Sequence, residues 1–345
     1  MYIYATMKKN VSIVGASGYS GAELLSILLH HPHITITKVF ANSSAGKRVD
    51  ELYPKFRRQT TLTYEEYSFD KVANDDLIFI SLPSGEAMNF VPTLIDAGKK
   101  VIDLGGDFRL HDKSLYEKYY KREHSAGQYL SKAIYGLPEW NRQNIASARL
   151  IANPGCYVTS ALLPLLPLVK ENLIEPNGII ISSLSGVSGA GRSASIDYSF
   201  TEANETVKAY KAGVHQHTPE IETVLTDFSG KPSVITFVPH LIPITRGIYS
   251  SMYATPKKEF SVEQVEAVYK KYYSNAPFVR LISNAVPEIK HVQYTNYIDI
   301  GWKLYERNHQ LIVFSVIDNL VKGAAGQAVQ NMNLMFGFEE TLSLL

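Results

Sequence analysis

The chain has almost no cysteine and almost no excess of charge. Cys156 is the single cysteine in 345 residues, so an internal disulfide is excluded and a reducing, cytoplasmic setting is expected. The 34 Lys and Arg residues are nearly balanced by 33 Asp and Glu, and they form no basic stripe. Nucleic acid is therefore not an expected partner, because phosphate backbones are bound by clustered positive charge.

Long apolar runs are also missing. The longest, YVTSALLPLLPLV, contains Pro164 and Pro167 and is too short to cross a bilayer. The first ten residues, MYIYATMKKN, lack the extended apolar region of a signal peptide. We therefore expect a globular protein without a membrane segment, and the length allows two domains.

Two patterns of secondary structure divide the chain. Before about residue 150, short apolar strands alternate with helices, which predicts an α/β domain with a Rossmann-type, doubly wound parallel sheet. After Cys156 the runs are longer and β-rich, as in SVITFVPHLIPITRGIYSSMYATP. These runs predict a second, α+β domain with a mostly antiparallel sheet.

A glycine-rich turn joins the first predicted strand to the first helix. Gly15, Gly18 and Gly21 have the spacing G-x-x-G-x-x-G. A turn in this context can place a dinucleotide pyrophosphate on the helix N-terminus, although close packing of a helix also selects such glycines. The turn predicts a dinucleotide site.

The end of the second strand distinguishes the two nicotinamide cofactors. An NAD site normally has Asp or Glu there to bind the ribose hydroxyls. This chain instead has hydroxyl, amide and basic side chains in FANSSAGKR, namely Asn42, Ser43, Ser44, Lys47 and Arg48. We therefore expect NADP(H), whose 2′-phosphate a carboxylate would repel.

Cys156 lies between Asn-Pro-Gly and a predicted helix start, where the helix dipole favours a thiolate. A lone cysteine can also be a small buried apolar residue. His215 and His217 offer a base, with Glu220 on the same face if a helix begins at Thr218 or Pro219. The two histidines are also possible zinc ligands, but no further ligands complete a set, so no metal is expected.

Anion-binding side chains recur next to glycine-rich or turn segments. Each arginine alone is explained by an ordinary structural role, but together with the dinucleotide turn they favour a small, doubly anionic substrate. These residues are Arg109, Ser185, Ser188, Arg192 and Arg246.

Several segments together resemble the N-acetyl-γ-glutamyl-phosphate reductase family, the NADPH-dependent enzymes of arginine biosynthesis. The matching segments run in order from about residue 11 to the C-terminus: GASGYSGAELL, DFRL, YGLPEW, ANPGCYVTSALLPL, SGVSGAGR, HQHTPEI, PHLIPITRGI and IDNLVKGAAGQAVQNMNLMFG.

The resemblance implies roles for individual residues. Cys156 would be the nucleophile and His217 the acid/base, with Glu220 and the anion-binding residues named above contacting substrate. Residues 1–155 with 320–345 would bind NADP(H), and residues 156–319 would carry catalysis and dimerisation, giving a dimer or tetramer. The cofactor contacts would come from Gly15, Ser17, Gly18, Tyr19, Ser20, Gly21, Asn42, Ser43, Ser44, Lys47, Ser81, Pro83 and Asn319.

The chemistry expected from these roles is reduction of an acyl phosphate through a cysteine thioester. N-acetyl, N-succinyl and aminoadipyl substrates would present the same acyl phosphate. A Cys-His hydrolase or acyltransferase and a nucleotide-sensing protein are alternatives from other classes. Two departures from the family pattern affect the cofactor region: Ser84 stands where a histidine is expected, and Gly105-Gly106 replace the usual Ser-Ala pair.

Overall fold

The computed structural model describes residues 8–193, 195–283 and 285–345. The prediction for the first ten residues thus concerns a segment that lies mostly outside the described residues. None of the helices in these described ranges combines the length and hydropathy needed to cross a membrane.

The chain contains two compact units. Unit 1 comprises the described residues of Met1–Tyr116, Arg122–Asn153 and Ala325–Leu345, and unit 2 comprises Glu117–Lys121 and Pro154–Ala324. The chain thus returns to unit 1 at Ala325, five residues later than the expected residue 320.

The strands in chain order are β1 (Lys9–Val14), β2 (Ile34–Phe40), β3 (Tyr64–Glu65), β4 (Leu77–Ile80), β5 (Lys100–Asp103), β6 (Ala133–Tyr135), β7 (Leu150–Ala152), β8 (Asn177–Gly186), β9 (Lys208–Ala209), β10 (Val234–Ile242), β11 (Ile248–Ala254), β12 (Val279–Ile282), β13 (Ile298–Tyr305) and β14 (Gln310–Ile317). The α-helices are α1 (Tyr19–Leu28), α2 (Val49–Leu52), α3 (Val91–Asp96), α4 (Lys113–Tyr120), α5 (Pro138–Ser147), α6 (Cys156–Lys170), α7 (Phe200–Ala203), α8 (His217–Ser229), α9 (Val262–Tyr273) and α10 (Gly326–Phe336).

The sheet of unit 1 is parallel throughout, with the order β3-β2-β1-β4-β5-β7-β6. All four residues of β4 are buried, as expected for a strand covered on both faces. The strand order reverses between β1 and β4, and ligands of such sheets bind outside the carboxyl ends at this point. The predicted doubly wound sheet is confirmed.

The sheet of unit 2 is mixed, with the order β12-β13-β14-β11-β8-β10-β9. Four of its six strand pairs are antiparallel, and β8–β10 and β12–β13 are parallel. Side chains alternate between buried and half-exposed along β11, so one face of this sheet covers a core. The prediction of a mostly antiparallel second sheet is confirmed.

Helix α6 continues through Pro164 and Pro167, although prolines remove backbone donors inside a helix. The missing donors leave the carbonyls of Ser160 and Leu163 without their usual partners. The Ser315 hydroxyl donates to Ser160 O at 2.7 Å, and the Tyr273 hydroxyl donates to Leu163 O at 2.5 Å. The buried apolar helix therefore continues because side chains from distant segments replace both lost hydrogen bonds.

Candidate active site

In unit 1, the glycine turn packs directly against the end of β4. Gly15 has φ +85°, and a Cβ at this position would lie 2.2 Å from Ser81 O. Only glycine fits both this left-handed conformation and this approach. The turn therefore brings the backbone of β1 and β4 together at the reversal of strand order.

The N-terminus of α1 follows this turn. Gly18 is the N-cap, and it has no side chain with which to cap the first helical N–H groups. Tyr19, Ser20 and Gly21 form the first turn, and Ser17 precedes it, with its carbonyl accepting the Tyr53 hydroxyl at 2.8 Å. The N–H groups of this first turn are the kind of donor that a pyrophosphate needs.

The segment after β2, residues 41–48, is polar and has no Asp or Glu at the place where an NAD site normally has one. Asn42, Ser43 and Ser44 form a short 3-10 helix in which Ser44 is buried and the other two are exposed. Lys47 is exposed. Arg48 is less available than expected, because its guanidinium binds Asp50 through two 2.9 Å hydrogen bonds.

The two departures from the family pattern contact each other. The Gly106 N–H donates to Ser84 Oγ at 3.2 Å, and both lie in loops that follow adjacent strands, β4 and β5. Pro83, in the first of these loops, is exposed, and Ser81 is half-buried.

Asp103 ends β5 as a fully buried carboxyl. Its Oδ1 accepts the Gly105 N–H at 2.8 Å, and its Oδ2 has no hydrogen-bond partner among the described residues. Burial and, to a lesser extent, the nearby charge of Asp107 together raise the pKa of Asp103 to about 7, although the Gly105 N–H and the charge of Arg109 oppose the shift.

Arg109 is held by backbone carbonyls. Its Nε donates to Asn153 O and its Nη2 to Leu104 O, both at 2.8 Å, and the side chain is buried. These two bonds fix the plane of the guanidinium, which suits directed binding of an anion.

In unit 2, the catalytic candidates both begin helices. Cys156 is the first residue of α6 and is half-buried, and His217 is the first residue of α8. A Cβ on Gly155 would lie 2.4 Å from His217 Nε2, so the imidazole packs on the residue next to the cysteine. The structure thus brings the predicted nucleophile and base together at two helix N-termini.

Glu220 connects the same two helices. It is fully buried, and its Oε1 accepts the Gly155 N–H at 2.9 Å. This bond fixes the N-cap of α6 to the first turn of α8. Glu220 therefore has an observed contact with the turn that carries Cys156.

His215 supports the start of α8. Its Nδ1 accepts the His217 N–H at 3.0 Å, and burial lowers the pKa of His215 to about 4, with a further small effect of the Lys211 charge. The imidazole is therefore neutral at pH 7 and acts as an acceptor. Within residues 8–193, 195–283 and 285–345, no cluster of His, Cys, Asp or Glu has a metal-binding arrangement.

Aromatic side chains that we did not assign surround the histidines. The centroid of the Tyr157 ring lies 5.8 Å from that of His215 and 5.9 Å from that of His217. The Tyr210 hydroxyl donates to the Tyr157 hydroxyl at 3.0 Å. Burial raises the pKa of both tyrosines, so both remain hydroxyl groups. The position of Tyr157 directly after Cys156 was the available sequence signal.

A second polar group of unit 2 joins Ser188, Asn319 and the segment around Arg246. The Asn319 side chain donates to Ser188 Oγ at 3.0 Å and accepts the Gly247 N–H at 2.8 Å. The nitrogen and the oxygen of the Asn319 side-chain amide thus each make a hydrogen bond within unit 2.

Arg246 is buried and lies 3.3 Å from Asp318, with its guanidinium 4.4 Å from the Tyr294 ring centroid. Burial raises the pKa of Asp318, and the positive charge of Arg246 counteracts this change. Ser185 is buried at the end of β8, whereas Arg192 is exposed beyond the following 3-10 helix.

Family models match both parts of the chain. Residues 10–148 match "Semialdehyde dehydrogenase, NAD binding domain", and residues 156–319 match "Semialdehyde dehydrogenase, dimerisation domain".

Curated relatives are similar over nearly the whole chain. The N-acetyl-gamma-glutamyl-phosphate reductase of Geobacillus sp. (strain WCH70) is 47% identical, covering 97% of this chain and 98% of the relative. The protein of the same name from Geobacter metallireducens is 48% identical, covering 97% of each.

Solved structures share the fold at low sequence identity. Aspartate semialdehyde dehydrogenase II from Vibrio cholerae has a TM-score of 0.74 at 19% identity, covering 96% of this chain and 99% of the other. The Candida albicans aspartate semialdehyde dehydrogenase, solved with NADP, has a TM-score of 0.73 at 14% identity, covering 95% of this chain and 98% of the other.

Proposed function

The chain belongs to the N-acetyl-γ-glutamyl-phosphate reductase family, and from this premise we propose how its residues perform the reaction. The enzyme is an NADPH-dependent oxidoreductase of arginine biosynthesis that converts N-acetyl-γ-glutamyl phosphate to N-acetyl-glutamate 5-semialdehyde and phosphate. The observation that carries the proposal is the packing of His217 on Gly155, next to Cys156 at the start of α6.

Cys156 acts as the nucleophile. The N-terminus of α6 favours the thiolate, and the adjacent imidazole of His217 takes the thiol proton. The sulfur attacks the acyl carbon, the carbon–oxygen bond to phosphate breaks, and a thioester forms. Backbone N–H groups in the first turn of α6 stabilise the oxyanion that develops on the acyl oxygen.

The residues of unit 1 fit the cofactor. Gly15 lets the turn pack directly against Ser81, and the first turn of α1 that follows supplies N–H donors for a pyrophosphate. Ser17, Ser81 and Pro83 would line the turn, while Ser43, Ser44 and Lys47 would hold the 2′-phosphate. When bound, NADPH supplies the hydride that reduces the thioester carbonyl.

His217 also completes the reaction. The tetrahedral thiohemiacetal anion collapses to the aldehyde as its carbon–sulfur bond breaks, and the imidazolium returns a proton to the departing sulfur. Proton transfer of this kind typically contributes about 10²–10⁴-fold to rate. Glu220 holds Gly155 and thereby keeps the two helix starts in register.

The anionic groups of the substrate require cationic and hydroxyl partners. We assign this task to Arg109, Arg192 and Arg246, with Ser185 and Ser188 as hydrogen-bond donors. The support is the carbonyl-braced guanidinium of Arg109 and the burial of Arg246 beside Asp318.

The assignment extends to domains and assembly. Residues 1–155 with 320–345 would bind NADP(H), and residues 156–319 would carry catalysis and subunit contacts in a cytoplasmic homodimer or homotetramer. Large apolar side chains exposed in unit 2 support self-association, notably Ile196 at 81% and Phe200 at 80% exposure. Light scattering after gel filtration tests this assembly.

The decisive assay is phosphate-dependent oxidation of N-acetyl-glutamate semialdehyde with NADP⁺, monitored by NADPH absorbance. The N-succinyl analogue is measured in parallel to identify the acyl group. Cys156→Ser should abolish turnover, because an alkoxide is not available at neutral pH. Retention of more than about 5% of native activity by this variant would contradict covalent catalysis.

A further inference from the structure

Two loops meet at the carboxyl edge of the parallel sheet in unit 1. The β4 loop (residues 81–87) follows β4, and the β5 loop (residues 104–109) follows β5. Ser81, at the start of the β4 loop, packs against Gly15 of the dinucleotide turn. The position of the β4 loop therefore shapes the crevice in which parallel sheets of this topology bind ligands.

Asp107 joins the two loops from inside the protein. It is fully buried, its Oδ1 accepts the Gly85 N–H at 2.5 Å, and its Oδ2 accepts the Ala87 N–H at 3.0 Å. The Tyr116 hydroxyl donates to Oδ1 at 2.8 Å. One carboxylate of the β5 loop thus binds two backbone amides of the β4 loop.

Further contacts hold the same pair of loops. The Gly106 N–H donates to Ser84 Oγ at 3.2 Å, and Arg122 Nη1 donates to Ser84 O at 3.3 Å. His124 Nε2 lies 2.7 Å from Asp107 O, which fixes the backbone at the carboxylate itself. The contact with His124 therefore fixes the β5 loop, and the β5 loop in turn holds the β4 loop.

Asp107 holds the β4 loop more strongly than Ser84 does. Hydrogen bonds to an ionised acceptor are about twice as strong as neutral ones, and both carboxylate oxygens are used. Gly85 lies between β4 and the 3-10 helix Ala87–Asn89, and Ala87 is the first residue of that helix, where an N–H has no partner within the helix. The carboxylate replaces the regular partners that these amides lack.

We propose that Asp107 is a positioning residue for the nicotinamide cofactor, and that Ser84 assists it. Together they hold the β4 loop in the conformation that receives NADPH. This inference rests on the proposed function and adds two residues to it. Neither residue touches the reacting atoms.

The test compares NADPH dissociation constants by fluorescence titration for the native protein and its variants. Asp107→Asn keeps the shape but turns an NH₂ group toward one backbone N–H. Losing a hydrogen bond to a charged acceptor should raise the dissociation constant about 10- to 100-fold. Because the effect acts on binding, kcat at saturating NADPH should fall by less than about threefold.

Ser84→Ala is a milder variant that decides the question if Asp107→Asn does not fold. It should raise the dissociation constant about three- to tenfold, as expected for a lost neutral hydrogen bond, and Ser84→Thr should restore binding. Asp112→Asn is the matched control, because its carboxylate accepts exposed N–H and hydroxyl groups of Ser114 outside the two loops. It should leave NADPH affinity unchanged.

The outcomes separate this inference from the proposed function. Weaker NADPH binding with little change in kcat, rescued by Ser84→Thr, supports positioning. Native NADPH affinity in Asp107→Asn or Ser84→Ala, with only a lower melting temperature, overturns it while the proposed function stands. A native protein that fails to bind NADPH overturns both.

Discussion

Removing the Tyr273 hydroxyl should destabilise unit 2 through a carbonyl more than 100 residues away. Tyr273→Phe deletes the oxygen that donates to Leu163 O at 2.5 Å, and both residues are buried. Pro167 has no N–H to offer this carbonyl in its place. The variant therefore leaves a buried acceptor without a donor, while the aromatic packing is kept.

The structure sets the size of the effect. Leaving a buried polar group without its partner lowers the free energy of unfolding by about 1–3 kcal/mol. Losing a hydrogen bond whose groups can bind water or another donor instead lowers it far less. Pro167→Ala restores the helical donor for Leu163 O, so Tyr273→Phe in that background should cost about 0.5–1 kcal/mol. The coupling between the two substitutions, which is the difference between these two costs, should be about 0.5–2 kcal/mol.

The assay is urea denaturation followed by tryptophan fluorescence. The chain has two tryptophans, and Trp302 lies in unit 2, with its ring 4.9 Å from Tyr269 of the same helix as Tyr273. A Trp140→Phe background removes the tryptophan of unit 1, so the signal reports unit 2 alone. Tyr305→Phe is the control, because Tyr305 is 42% exposed.

The double-mutant cycle provides the refutation. Equal costs of Tyr273→Phe in the native and Pro167→Ala backgrounds would show that the hydroxyl does not replace the helical donor. If Tyr305→Phe lowered the free energy of unfolding as much as Tyr273→Phe, the loss would be a general effect of removing a tyrosine hydroxyl.

Three further outcomes are expected. His215→Ala should lower kcat at least about tenfold and lower the free energy of unfolding by about 1–2 kcal/mol, because it removes the buried acceptor of the His217 N–H; His215→Asn should recover part of the rate, and native kinetics in His215→Ala would contradict the role. Asp103→Asn should flatten the pH dependence of the unfolding free energy. Since the folded pKa of Asp103 is raised to about 7, the native stability should fall as pH rises from the unfolded carboxyl value to 7, and a slope unchanged in the variant would refute this. Lys47→Glu should raise KM for NADPH at least tenfold and leave KM for NADH nearly unchanged, and equal effects on both would remove Lys47 from the 2′-phosphate site.

The sequence predicts those secondary-structure elements and turns that are determined by residues close together in the chain. The alternation of apolar strands and helices predicted the parallel sheet, because both signals arise within a few residues. The glycine spacing likewise predicted the turn before α1, where Gly15 needs both a left-handed backbone and contact with Ser81. These features require no knowledge of distant segments.

Other features depend on contacts that the sequence does not display. Helix α8 begins at His217, earlier than Thr218 or Pro219, because the His215 side chain accepts the first N–H. The sequence places Arg48 among the basic residues expected near the cofactor, but its guanidinium is hydrogen-bonded to Asp50. Ser84 and Gly106 are 22 residues apart in the sequence, and only the folded structure shows that they are joined by a hydrogen bond between two loops.

The discontinuous path of unit 1 constrains the order in which the chain matures on the ribosome. Its last helix, α10, is buried along nearly its whole length, and Asn331 of this helix donates to Gly136 O and Asn153 Oδ1 in the first part of the chain. Translation of unit 2 intervenes. At roughly 5–20 residues per second, the intervening segment of about 170 residues takes roughly 10–30 s to synthesise. During that interval the surface that receives α10 stays uncovered, so the nascent first half is the species that chaperones must protect, and the nucleotide-binding unit is complete only once α10 has been synthesised.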